Sequence, residues 1–126
     1  MSKLLFIICI LILLTSCANI QPTNDEIINA YYGNKPQNAK FTITKRAEKK
    51  LSIGPEFINF VCEEPKKKWV NLYGNIHYGW DVHCIRTTKN ITGYHVREIN
   101  YLFNDETIIS DTSDRLSGWS NEGLVD

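Results

Sequence analysis

Ile76-His77-Tyr78-Gly79-Trp80-Asp81-Val82-His83-Cys84-Ile85-Arg86 is the stretch that decides the fold. Tyr78, Trp80, Val82 and Cys84 share one parity and His77, Gly79, Asp81 and His83 the other, so a strand here has one apolar and one polar face. Cys84 then points into a core. Upstream, Gly74-Asn75 marks a tight connection to a strand at Trp69 to Tyr73, and Pro65 marks the turn before it. Glu56 to Cys62 puts Ile58, Phe60 and Cys62 on one face, with Phe57 and Val61 on the other. Downstream, Thr87 to Gly93 reads as a polar hairpin loop. Tyr94 to Phe103 returns with Ile99, Tyr101 and Phe103 in alternation, and Asn104-Asp105-Glu106 turns the chain into a last short strand at Thr107 to Ser110.

Ahead of the strands, Thr23-Asn24-Asp25-Glu26 has the form of a capping box and opens a helix. Ile27, Ile28, Tyr31 and Tyr32 give that helix its apolar face, and Gly33 with Pro36 ends it. From Lys40 the period changes to two, with Phe41 and Ile43 alternating with Thr42 and Thr44, so a strand is expected there, followed by a charged turn from Arg46 to Lys50. The expected class is α+β, with one short N-terminal helix near Asp25 to Tyr32 packed on an antiparallel sheet of four to six strands. Its core should contain Ile28, Tyr31, Phe41, Ile43, Ile58, Phe60, Trp80, Val82, Ile99, Tyr101 and Phe103. Residues 23–110 form the single domain. Residues 111–126 are rich in Ser, Asp, Asn and Gly and read as a polar, mobile tail in which Leu116, Trp119 and Leu124 stand out, either docking loosely on the domain's own surface or serving as a partner-binding peptide.

At the other end, Lys3 precedes an eleven-residue apolar run from Leu4 to Leu14, shorter than the roughly 17 to 25 residues that cross a bilayer. Leu14-Thr15-Ser16-Cys17 follows. A basic start, a short apolar segment and a large-small-small-Cys box together resemble a bacterial lipoprotein signal. The resemblance implies that residues 1–16 are a signal peptide, that Cys17 receives fatty acid such as palmitate, and that residues 17–22 are a tether. It also implies, with Ala18 after the cysteine and a diderm host, an outer-membrane address facing the periplasm. An ordinary secretory signal followed by an unrelated cysteine is the competing reading.

Of four cysteines, Cys9 leaves with such a signal and Cys17 carries lipid, which leaves Cys62 and Cys84. An even pair on two inward faces of an exported domain predicts a disulfide; two buried free thiols are the alternative. Formal charge is zero over the whole chain, and removal of Lys3 leaves 13 basic and 14 acidic residues, so no global field recommends nucleic acid. Lys45-Arg46, Lys49-Lys50 and Lys66-Lys67-Lys68 are interrupted by Glu48, Glu63 and Glu64 and read as solvated turns.

His77, Asp81 and His83 are the one concentration of metal-type ligands, but six positions of strand hold the histidines roughly 20 Å apart at about 3.3 Å per residue. His95 could join only from a neighbouring strand. There is no Gly-x-Ser-x-Gly elbow and no glycine-rich phosphate loop, and Glu63-Glu64 are adjacent on a turn and point apart. No catalytic residue, metal site or cofactor is therefore expected, and the chain reads as a non-enzyme.

Pro36, Asn38-Ala39-Lys40-Phe41, Tyr78-Gly79-Trp80, Lys89-Asn90, Gly93-Tyr94 and Tyr101-Leu102-Phe103-Asn104-Asp105 also resemble small uncharacterised bacterial envelope lipoproteins, over about two thirds of the mature chain. That resemblance carries no activity and no functional residues. The functional expectation is a membrane-anchored, non-enzymatic binding or structural module that meets an envelope protein or glycan. The alternative is a periplasmic inhibitor or immunity-type lipoprotein, with the Thr87 to Gly93 loop directed at an envelope hydrolase.

Overall fold

The computed structural model describes residues 20–114 and 116–126, so Cys17 and the signal-like segment lie outside the described residues. Among the described residues two α-helices, α1 (Asn24–Asn29) and α2 (Ala39–Leu51), and a 3-10 turn (Pro55–Phe57) precede six strands: β1 (Ile58–Cys62), β2 (Lys66–Leu72), β3 (Asn75–Asn90), β4 (Gly93–Asn104), β5 (Thr107–Asp111) and β6 (Trp119–Leu124). All pairings are antiparallel, in the order β5-β4-β3-β2-β6, with β1 on β3 as well. The α+β class holds. The helix that matters is a different one.

α1 has the capping box expected of Thr23 and Glu26 but is only six residues long and buries nothing. Ile28 and Tyr31, expected in the core, are exposed. The packing helix is α2, where a strand was expected at Lys40 to Thr44 and a turn at Arg46 to Lys50. The short alternation of Phe41 and Ile43 misleads because Ala39, Ile43, Ala47 and Leu51 recur every four residues, the spacing of one helical face. Thr42 and Thr44 tolerate the helix by donating their hydroxyls to the carbonyls of Asn38 and Lys40, one turn back. Phe41 consequently faces away from the sheet, 66% exposed, with Lys45 Nζ over its ring.

Both ends of α2 are secured. The Glu106 carboxylate, on the β4–β5 turn, accepts the N–H groups of Gln37 at 2.6 Å and Asn38 at 3.2 Å, supplying from a distant segment the cap that Asn38 does not. Ser52 closes the other end in the left-handed region, φ 53°, with its N–H on the Glu48 carbonyl; Lys49 and Lys50 suit the negative end of the dipole.

Ile43 and Ala47 of α2 pack on Ile58, Phe60, Val82, Cys84, Ile99, Tyr101 and Phe103, so the central expectation for the sheet core is met. β1 and β2 lie end to end along one edge of β3, β1 against Cys84–Thr88 and β2 against Asn75–Asp81. Between them the Glu63 N–H still donates to the His83 carbonyl, which leaves Glu64 and Pro65 opposite Val82 alone. Two residues against one is a β-bulge, where a proline without an N–H is tolerated.

The segment 111–126 is not the free polar tail that its composition suggests. Asp111 ends β5, and Trp119–Leu124 forms β6 on the outer edge of β2. Its sequence lacks apolar alternation because a strand at a sheet edge, with an indole as its main buried element, has little apolar surface to hide. Trp119 Nε1 donates to Ser110 Oγ at 2.7 Å, which ties β6 to β5 although they stand at opposite ends of the strand order. The sheet therefore curls over a second, smaller core on the face away from α2, where Val70 and Leu102 are fully buried. Gly79 is needed there, since a Cβ would stand 2.3 Å from the Phe103 carbonyl oxygen. Among the described residues no helix is long and apolar enough to cross a membrane.

Candidate functional site

Cys62 and Cys84 sit opposite each other in the β1–β3 register and are joined by a disulfide. Their Cα atoms are 4.1 Å apart, under the expected 4.4 to 6.8 Å range of disulfides, because they occupy a non-hydrogen-bonded antiparallel position, where chains approach to about 4.5 Å. The other sequence candidates are dispersed. His83 lies between Glu63 and Glu98, each at 3.7 Å, while His77 pairs across to Val70 and His95 reaches Thr92 and Asn90 at the β3–β4 turn. Among the described residues no three His, Cys, Asp or Glu side chains converge in a way that could hold a metal ion.

Asp81 belongs to a cluster that the sequence reading missed. Its carboxylate is 3.5 Å from Lys68 Nζ, and Lys68 also meets Glu122 of β6 at 3.0 Å and lies over the Trp119 ring. Lys68 and Asp81 are both buried, which corrects the reading of Lys66-Lys67-Lys68 as a solvated turn. The available signal is parity, because Lys68 shares a face with Val70 and Leu72. Gly79, opposite Lys68 in the register, leaves room for the lysine stem. Burial raises the Asp81 pKa above its ordinary value, and Lys68 opposes that shift without cancelling it. Among the described residues Asp81 Oδ1 has no hydrogen-bond partner. The cluster locks β6 onto β2 and β3.

The surface best formed for recognition is at the far end of the β3–β4 hairpin. Instead of the seven-residue loop expected from Thr87 to Gly93, the strands continue to Asn90 and Gly93, leaving Ile91 and Thr92 as a two-residue turn. Asn90 Oδ1 accepts the Thr92 N–H at 2.8 Å and the Thr92 hydroxyl, so the turn is stiffened by its own side chains. Ile91 at its apex is fully exposed. It rims an open recess of about 500 Å³ lined by Ile53, Phe57, Lys89 and Asn90. On the face turned from α2, Val61, Ile85, Val96 and Tyr94 are also exposed, on adjacent rows of β1, β3 and β4. That combination offers apolar contact area on a rigid frame, without a paired acid and base beside it.

No family model, no curated protein and no solved structure matches this chain. The functional reading rests on its own residues.

Proposed function

We propose that the protein is a lipid-anchored envelope lipoprotein that acts as a non-enzymatic binding module, with fatty acid on Cys17 and recognition through the β3–β4 hairpin end. The observation that carries the binding reading is Ile91, a fully exposed isoleucine on a turn held by Asn90 and Thr92, amid further exposed apolar side chains. An isolated exposed apolar residue needs no explanation, but a cluster presented by a stiff hairpin is the usual form of a contact anchor. The partner class is an envelope protein, since flat β-branched and aromatic surface complements protein better than it does a hydroxyl-rich glycan.

The same hairpin also favours a second reading, an inhibitor or immunity-type lipoprotein whose tip enters the cleft of an envelope hydrolase. A narrow, stiff projection fits a concave site at low entropic cost. Both readings are tested together. Metabolic labelling with a palmitate analogue should mark the wild type and leave Cys17→Ala unmarked. Crosslinking in intact cells should then give protein adducts that Ile91→Asp abolishes while its circular dichroism stays unchanged. Labelled Cys17→Ala protein refutes the anchor, and adducts unaffected by Ile91→Asp refute the site.

A further inference from the structure

We infer that the opposite end of the domain, at the β2–β3 turn, docks into the lipid headgroup layer with Tyr73 and Leu116 as its inserting side chains. This rests on the lipid anchor at Cys17 proposed above. The chain first enters the described structure at Ile20, whose carbonyl accepts from Asn71 Nδ2 at 3.1 Å, and Asn71 Oδ1 accepts the Gly74 N–H at 2.8 Å. Ile20 is thereby tied to the turn itself. Ile20 is only three positions after Cys17, so by chain length alone the anchored residue lies within about 11 Å of it. A fatty anchor so close brings this end of the domain to the bilayer surface.

The side chains found there suit that position. Tyr73 is 75% and Leu116 81% exposed, and Ile20 is exposed as well. The Tyr73 N–H donates to the Gly118 carbonyl at 3.1 Å and its hydroxyl donates to the Leu116 carbonyl, so the tyrosine is tied to the main chain that carries Leu116. Gly118, at φ +80°, lies under the tyrosine ring, where a Cβ would come within 2.3 Å of a ring carbon. Tyr73, Leu116 and Trp119 line an open recess of about 670 Å³. Tyrosine, an apolar ring with a polar tip, favours headgroup depth. Asp114 accepts the Leu116 N–H at 3.2 Å and puts a negative charge beside the patch, so the docking uses apolar burial and does not need anionic lipid. Ile91 is at the other end of the sixteen-residue β3, about 50 Å of strand away.

The test uses the full chain, its lipid on Cys17 verified by mass, in phosphatidylcholine vesicles. A nitroxide is placed at Ser117→Cys, beside the intact Leu116, or at Ile91→Cys. Transfer from detergent to vesicles should lower collisions of the residue 117 label with a water-soluble nickel chelate several-fold and raise its collisions with oxygen. The residue 91 label should not change. Tyr73→Asp with Leu116→Asp should remove the protection at residue 117 while the protein stays vesicle-bound and folded by circular dichroism. If lipid is on Cys17 and the residue 117 label keeps its solution nickel rate, the docking is wrong and the anchor stands. If mass shows no lipid on Cys17, the anchor fails and the docking falls with it.

Discussion

The two halves of β3 are covered differently. Its first half, which ends at about Asp81, is covered on both faces from Tyr78 onward. On one, Tyr32 packs edge-on to Tyr78 with ring centroids 5.6 Å apart and Gly33 accepts the Trp80 indole N–H; on the other, β6 and Trp119 close over Val70 and Leu102. Its second half, from Val82 to Asn90, has α2 on one face and solvent on the other, where Ile85 and its neighbours Val61 and Val96 are exposed. Length alone would make both halves equally good binding platforms. Coverage makes one half the packed part of the sheet and is the ground for proposing the other as the contact surface.

Breaking the wrapped half should cost most. A chain cut after Thr112 removes β6, uncovers Val70 and takes the half-exposed Glu122 from Lys68, so it should lose more than the roughly 1.5–3 kcal/mol of uncovering one large apolar side chain alone. From composition, such a cut would have left the fold intact. Denaturant unfolding of the truncated and full chains measures the difference. Lys68→Met in the full chain leaves Asp81 buried without its cation and should cost about 3 kcal/mol by the same measurement. Replacing Cys62 and Cys84 together by serine should cost a similar amount, about 3 kcal/mol for a loop of 22 residues, read as a shift in denaturant midpoint.

A smaller effect is the pH dependence, where two buried carboxylates act in opposite directions. Burial pushes Asp111 up, but hydrogen bonds from Ser113 and Arg46 outweigh it and hold the carboxyl below its ordinary 3.8. Its contribution is therefore present above pH 3.8 and lost as pH falls through the lowered value. Asp81 is raised by burial, so its contribution is present below 3.8 and lost as pH rises through the raised value. Unfolding measured across acid pH should show Asp111→Asn losing its deficit against wild type as pH drops. It should also show wild type losing stability relative to Asp81→Asn as pH climbs. At the bare half, Ile91→Asp should change stability by no more than about 0.5 kcal/mol while removing partner contact.

What the sequence revealed follows the same division. β3, β4 and the cysteine pair were legible because period-two alternation acts strongly where one face is buried, as at Val82, Cys84, Ile99 and Tyr101. α2 was not, since four residues from Phe41 to Thr44 imitate a strand and the helical spacing of Ala39, Ile43 and Ala47 emerges only over a longer window. β6 was hidden because Trp-Ser-Asn-Glu-Gly-Leu is strand only in the company of β2 and the Lys68 cluster. Ile91 drew no notice inside Asn90-Ile91-Thr92, which reads as a polar loop until the strands on either side are seen to run up to it.

The proposed division between an anchored end and a presenting end is open to direct comparison within one cell preparation. A photocrosslinking amino acid is placed at Ile91 or at Leu116 of the full chain in its native envelope, and the adducts are separated into protein and lipid. The residue 91 probe should yield a discrete protein adduct and the residue 116 probe a lipid adduct. Protein adducts at residue 116 with none at residue 91 would contradict the assignment of the two ends.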